Sequence, residues 1–192
     1  MKNLFVAAFV LGLAYSSNAQ SEDKLREVGF SFSNLDNFSL VYRFGNESSL
    51  WRISLLNLRA NLQPENDLGN KNVNTSLGFR MGKEWRSPIS EKFKFRYGGD
   101  LMTSFNYSNS SFDEDDFNKS RSIRTGLIGI LGFNYSLGKG LIFGAELLPG
   151  ITYAAAENVS RNGPQSEEQT SFNSSYNFNL DNSLELSLVY QF

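Results

Sequence analysis

The residues of this sequence that offer chemistry are arginines, lysines and carboxylates, because its 192 residues include no histidine and no cysteine. Without them a chain forms no disulfide, no cysteine- or histidine-based metal site, and no serine–histidine or cysteine–histidine catalytic pair. The formal net charge of −2 argues against a nucleic-acid partner, which requires a basic surface. We therefore expect no cofactor, no metal and no nucleic acid, and the chemistry to examine is the pairing of charges.

Many of the charges share one parity of extended segments, so they fall on one face of the chain. Arg96 and Asp100 lie four positions apart on this parity, and the segments that follow supply Arg124 and Glu146. Charges in a narrow interior are costly unless paired, and the arginine fork suits a carboxylate. The pattern predicts a network of Arg43, Arg52, Arg80, Arg96, Asp100, Arg124, Glu146 and Glu185, with Arg59, Lys94 and Asp181 on the same parity.

The elements that position these charges are predicted to be β-strands, since apolar and polar residues alternate at period two along most of the chain. In 93–107 the bulky apolar residues take odd positions, and in 184–192 they take even ones. A change of parity between Leu55 and Leu56 indicates a β-bulge. The predicted strands are 26–35, 38–45, 50–62, 72–86, 92–107, 121–137, 140–157 and 170–192, and a turn at 181–182 would add a ninth.

The connections between these strands alternate in character. Short turns are expected at 45–49, 87–91 and 138–140, whereas the connections 63–71, 108–120 and 158–169 are long and polar. Long loops at one end and short turns at the other are typical of transmembrane barrels, with the short turns in the periplasm. Counting from a periplasmic N-terminus, the long connections and the tight 36–37 connection fall outside the cell.

The size of the residues on the two faces indicates which face is buried. Phe, Tyr, Leu and Trp dominate one face, and Gly, Ser and Asn with a few charges dominate the other. Small polar residues fit the interior of an eight-stranded barrel, and aromatic residues near strand ends suit the two membrane interfaces. The sequence therefore predicts an all-β, eight-stranded antiparallel up-and-down transmembrane barrel. The alternative is a soluble, lipocalin-like barrel that holds the aromatic residues and an apolar ligand inside.

The first residues have the pattern of a secretory signal peptide. Lys2 precedes an apolar run at 4–15, and Ser17-Asn18-Ala19 is a small-residue cleavage pattern. The run is shorter than the about 20 residues of a spanning helix. We expect cleavage after Ala19, which divides the chain into a signal peptide, 1–19, and a barrel domain, 20–192.

The last strand carries a second signal. Leu188, Tyr190 and the terminal Phe192 alternate at i−4, i−2 and i, which resembles the signal by which bacterial outer-membrane barrels are recognised for insertion. With the Gly-rich stretches 125–135 and 144–150, nearly all of the chain after the signal peptide resembles the small outer-membrane β-barrels of Gram-negative bacteria, of the OmpA transmembrane-domain and OmpX type, in a Bacteroidota-like version. The resemblance implies an outer-membrane location and two partners, membrane lipid and the barrel-assembly machinery. It names no extracellular partner and no activity.

Three functional hypotheses follow. The first is an outer-membrane barrel with a structural, porin-like or surface-interaction role, in which the charge network is either a plug or a narrow ion path. Eight strands leave no open channel, which favours the plug. The second is the soluble ligand carrier, and the third is a lipid-modifying barrel enzyme, which the absence of histidine disfavours. We expect no enzymatic activity.

Overall fold

The computed structural model describes residues 24–34, 37–63, 71–113, 116–163, 165–179 and 184–192. Ten antiparallel strand segments make up this part of the chain. They are β1 (Leu25–Asn34), β2 (Asn37–Gly45), β3 (Ser49–Gln63), β4 (Lys71–Pro88), β5 (Phe93–Asp113), β6 (Asp116–Gly138), β7 (Leu141–Leu147), β8 (Gly150–Asn162), β9 (Gln169–Asn179) and β10 (Leu184–Gln191). No helix in these ranges is long and apolar enough to cross a membrane.

The ten segments form a closed barrel of eight strands. β7 and β8 are two halves of one strand, because both pair with β6 in a single register on either side of Pro149, which has no N–H to donate. β9 and β10 likewise follow one path, since β9 pairs with β8 and β10 pairs with β7. Pairing of β1 with β10 closes the ring. The predicted fold class is confirmed. The turn considered at 181–182 lies outside the described residues.

The start of β1, the end of β10 and the short turns share one end of the barrel, which we call the terminal end. Here Phe192 N donates to Arg26 O at 2.9 Å, and tight turns join β2 to β3, β4 to β5 and β6 to β7. The last of these turns runs through Gly138, Lys139 and Gly140, whose φ angles are 94°, 52° and 80°. Glycine adopts such angles without strain, which accounts for the pair that flanks Lys139.

At the opposite end, which we call the far end, two predicted loops are wrong. The 108–120 segment is not a loop, because β5 continues to Asp113 and β6 starts at Asp116, with Ser108 paired to Ser120. β8 also continues to Asn162, so the last connection is 163–168 and not 158–169. These extensions carry Ser and Asn on both faces, as at Ser108 and Asn109, so the apolar alternation that reveals a strand fades although the backbone ladder continues.

The wall is therefore taller on one side than on the other. β1 and β2 end at Asn34 and Asn37, whereas β5, β6, β8 and β9 continue as a projecting sheet. Among the described strands β9 pairs only with β8, so the ring is complete only below it. The bulge predicted between Leu55 and Leu56 occurs slightly later, as a register shift between Leu56 and Arg59.

The faces of the barrel have the predicted orientation, with bulky apolar residues outside. Phe95, Tyr97 and Leu131 are 40%, 44% and 49% exposed. Within the described part of the chain, the buried side chains comprise 15 polar or charged and 7 hydrophobic residues. This is the reverse of a water-soluble protein, in which apolar residues dominate the interior. The interior of this barrel is a charged core.

Candidate functional site: a charged cluster in the lumen

Ten inward side chains form the site, which we call the lumen cluster. They come from seven of the eight wall strands and comprise five arginines and five carboxylates. The members are Glu27, Arg43, Arg52, Arg80, Glu84, Arg86, Arg96, Asp100, Glu146 and Glu185. Each is at most 6% exposed. The formal charges balance, which is the condition under which so many ionised groups can be buried together.

The centre of the cluster is a forked ion pair across the lumen. Arg52 Nη1 lies 2.8 Å from Glu146 Oε2, and Arg52 Nη2 lies 3.1 Å from Glu146 Oε1. Arg52 Nε also lies 3.1 Å from Asp100 Oδ2, and Arg96 Nη2 lies 2.8 Å from Glu146 Oε2. β3 and β7 are the third and seventh wall strands of a ring of eight, so they face each other. The pair therefore spans the full width of the lumen.

A second group of ion pairs lies toward the terminal end. Glu27 accepts hydrogen bonds from Arg86 at 2.5 and 2.8 Å and from Arg43 at 3.2 Å. Glu84 lies 2.6 Å from Arg86 and 3.4 Å from Arg43. Both carboxylates thus contact both arginines of this group. The ion pairs form one continuous network through Glu84, which also lies 3.6 Å from Arg52.

A third pair closes the lumen again toward the far end. Arg80 Nη2 lies 2.9 and 2.7 Å from the two carboxylate oxygens of Glu185. Arg80 is on β4 and Glu185 is on β10, which belong to the fourth and eighth wall strands and so also face each other. Two ion pairs at different depths thus cross the barrel. Side chains that meet across the lumen at two depths are the arrangement expected of a plug.

Inward glycines make room for these long side chains. Gly144, next to Glu146 on the inward face of β7, is an example. A Cβ atom at this position would lie 2.5 Å from Ser187 Oγ and 3.2 Å from Arg96 Nη2. The small residues that alternate with charges in the sequence are therefore part of the site, because they supply the volume that the arginines fill.

Seven of the eight predicted residues lie in the cluster, and Arg124 does not. Arg124 is exposed and pairs with Ser104, whereas Asp100 pairs with Ile128. The four residues between these pairs correspond to about 13 Å along the strand, so Arg124 lies well above its predicted partner. Arg124 therefore faces inward as predicted, but its position along the barrel axis was predicted wrongly.

Other residues on the predicted parity also lie apart from the cluster. Lys94 lies 3.6 Å from Glu47 at the rim of the terminal end. The side chains of Arg59 and Asp181 are outside the described part of the structure.

Sequence reasoning missed Glu27, Glu84 and Arg86. The signal was present, because Glu84 and Arg86 continue the parity of Arg80, and Glu27 shares the parity of the small residues that follow it in β1. They lie near the strand ends at the terminal end, where we expected an interfacial region. The network therefore extends further toward the turns than the alternation alone indicated.

Aromatic residues lie on the outer surface in two girdles, one toward each end of the barrel. The terminal girdle includes Trp51, Trp85 and Tyr97, and the last two rings stack with centroids 5.9 Å apart. The far girdle includes Tyr107 and Tyr153. Tyr97 and Tyr107 are ten residues apart on β5, which is about 33 Å along the strand and about 25 Å along the axis at a typical tilt of about 40°. This matches the apolar band of a transmembrane barrel, about 25 Å tall.

The proposed insertion residues are at the terminal end on the outer face. Leu188, Tyr190 and Phe192 are all exposed, and the rings of Tyr190 and Phe192 stack with centroids 6.5 Å apart. β10, which carries Leu188 and Tyr190, is the strand that pairs with β1 and closes the barrel.

Fold and site together define a class: an antiparallel barrel with charges packed inside and an apolar outer surface bounded by aromatic rings. No protein-family model matches the chain, and no curated protein matches its sequence. Among solved structures, the chain is similar to a major outer membrane protein from Thermus thermophilus, with a TM-score of 0.55 and 12% sequence identity. The match covers 89% of this chain and 100% of that one, and at this identity it supports the fold.

Proposed function

We propose that this protein is an outer-membrane β-barrel with a sealed lumen, which has a structural or surface-interaction role and no enzymatic activity. Its apolar outer face, bounded by two aromatic girdles, supports residence in a bilayer. The outer-membrane origin of the similar Thermus structure is consistent with this location. The projecting sheet and the far-end loops then extend from the cell surface, where they are available to a partner.

The observation that carries the proposal is the Arg52–Glu146 pair. It joins opposite walls of the barrel at 2.8 and 3.1 Å, and both side chains are at most 1% exposed. A porin keeps such charges on the wall of a water-filled channel, whereas here they meet in the middle. Among the roles considered for an outer-membrane barrel, the geometry favours a scaffold over a pore.

The same geometry counts against the soluble carrier. A lipocalin-like barrel needs its aromatic residues inside, around an apolar ligand, but in the described structure the lumen holds the ion pairs. The third hypothesis, a lipid-modifying enzyme that uses a catalytic histidine, has no histidine to use. Neither alternative has a feature of the described residues in its favour.

The proposal also covers the export of the protein and its insertion into the outer membrane. We propose that residues 1–19, which lie outside the described ranges, direct export, and that Leu188, Tyr190 and Phe192 are read by the barrel-assembly machinery. Their outward exposure on the closing strand supports the second role, because a receptor can reach them before the barrel closes. Membership of the OmpA and OmpX type, and a Bacteroidota origin, belong to the same proposal.

Fractionation and conductance test the proposed function together. We expect the protein to leave the membrane fraction only with detergent, and to give no stepwise openings in a planar bilayer. Release by salt or osmotic shock would refute the membrane barrel. Stable single-channel openings from a protein that needs detergent for extraction would refute the sealed lumen alone.

A further inference from the structure

The outer face of β6 changes from apolar to cationic at the far girdle. Leu127 and Ile123 point outward within the apolar band, and Arg121 and Lys119 follow at the next two outward positions. The Arg121 guanidinium lies 5.9 Å from the ring centroid of Tyr107, and Lys119 Nζ lies 4.3 Å from that of Phe117. The two cations, about 7 Å apart along the strand, are thus held beside aromatic rings at the border of the apolar surface.

A hollow of about 490 Å³ opens in the outer face directly beside Arg121. Its walls are formed by Phe105, Ile123, Tyr153 and Phe172, and its floor is low because Ala155 carries only a methyl group. Ala155 pairs with Ile123 on one side and with Ser174 on the other, so two small side chains interrupt the rows of bulky ones. The hollow is thus mostly apolar with a cation at its rim.

The hollow itself is lined by one cation and one carboxylate, Arg121 and Glu157, and Lys119 adds a second cation on the outer face beyond its rim. Glu157 pairs with Arg121 in the strand register, and it is the carboxylate that lines the hollow. Arg161, further along β8, donates from Nε to Ser166 O at 3.2 Å and is engaged with the following loop. Against one carboxylate, Arg121 and Lys119 supply two cations.

We infer that Arg121, Lys119 and the adjacent hollow form a seat for a lipid of the outer leaflet that carries an exposed anionic phosphate. The inference rests on the proposed membrane location, which puts the far girdle at headgroup level. Arginine binds phosphate through two parallel hydrogen bonds, and lysine adds a point charge. The phosphate lies against the two cations, and one acyl chain lies in the hollow. The headgroup and the acyl chain of such a lipid would therefore contact adjacent parts of the same outer surface.

The test measures lipid retention by native mass spectrometry of the full chain after it has been floated with vesicles. The probes are phosphatidic acid and phosphatidylcholine with identical acyl chains, since the phosphate of the first is a free anionic monoester and that of the second is capped by a choline cation. A lysine or arginine near an anionic surface strengthens binding about fivefold, so K119Q/R121Q is expected to hold phosphatidic acid about 30-fold more weakly. Ala155→Phe, which fills the hollow, is expected to weaken retention while both cations remain.

The matched control is Lys83→Gln. Lys83 is also an outward cation beside aromatic rings, 5.6 Å from both Trp51 and Trp85, but it belongs to the terminal girdle. We expect it to retain phosphatidic acid as the parent does. Equal retention by K119Q/R121Q and the parent, or equal retention of the two lipids by the parent, would overturn the seat. Failure of the parent to float with vesicles would instead overturn the proposed membrane location, and the seat with it.

Discussion

Arg52 is the arginine of the lumen cluster with the most carboxylate partners, because its guanidinium lies within ion-pair distance of Glu146, Asp100 and Glu84. Replacing it with alanine removes the forked partner of Glu146 and leaves Asp100, among the described residues, with Arg80 alone, at 4.0 Å. Breaking a buried pair in this way costs about 3–5 kcal/mol. We therefore expect Arg52→Ala to lower the free energy of unfolding by about this amount, measured by urea titration in lipid vesicles with tryptophan fluorescence.

The matched control for Arg52→Ala is Arg124→Ala. Arg124 has the same parity and charge but is exposed, and exposed substitutions usually change stability by less than about 0.5 kcal/mol. If both variants unfolded at the parent's urea concentration, the ion pairs would not contribute to the folded state. Equal destabilisation by both would show a general effect of charge and not of the cluster.

Inward glycines give a second prediction at the residue scale. A Cβ at Gly144 would crowd Ser187 and Arg96, whereas a Cβ at the outward Gly99 would meet only Ile128 O, at 3.6 Å. Overpacking a filled interior costs about 1–3 kcal/mol. We expect Gly144→Ala to destabilise the barrel by this amount and Gly99→Ala to leave it nearly unchanged, in the same urea titration. If Gly144→Ala were as stable as the parent, the lumen would not be tightly filled.

At the scale of the elements, the far-end parts of β5 and β6, which belong to the projecting sheet, can be used to determine the orientation of the barrel in the membrane. Asn118, in the projecting sheet, is exposed at the far end, and Glu91 is exposed in the turn between β4 and β5. Because the chain has no cysteine, single Asn118→Cys and Glu91→Cys variants carry one thiol each. With an impermeant maleimide on intact cells, we expect labelling of the first and none of the second until the outer membrane is opened. The reverse pattern would place the termini outside the cell.

The strands show which parts of the fold sequence alone can predict. Period-two alternation located the eight wall strands, and the contrast between bulky and small residues located the lumen, because both are properties of single positions. The segment 108–120 was predicted to be a loop because its two faces are not separated into apolar and polar residues. Arg124 was misplaced because parity fixes the face of a residue but not its height. Height depends on the register between strands, as in the pairing of Asp100 with Ile128.

At the scale of the whole molecule, the height of the outer apolar surface predicts the hydrocarbon thickness of the bilayer in which the protein folds best. The far and terminal girdles are about 25 Å apart, and a mismatch with the bilayer costs fractions of a kcal/mol for each ångström. We expect refolding yields in phosphatidylcholine vesicles to be highest where the hydrocarbon thickness is near this value and to fall as the acyl chains lengthen. The folded fraction can be measured from the shift in electrophoretic mobility between unheated and heated samples.

Tyr107→Ser provides the control for this dependence, because it removes a far-girdle ring and leaves the lumen cluster intact. If the girdles set the fit to the bilayer, this variant loses part of the parent's preference for a matched bilayer while keeping its resistance to urea. A parent yield that did not change with acyl-chain length would contradict the assignment of the two girdles to membrane interfaces. Since the ion pairs hold the barrel closed from within, the outer surface can respond to lipid without any change in the charged core, and the two properties are expected to vary independently.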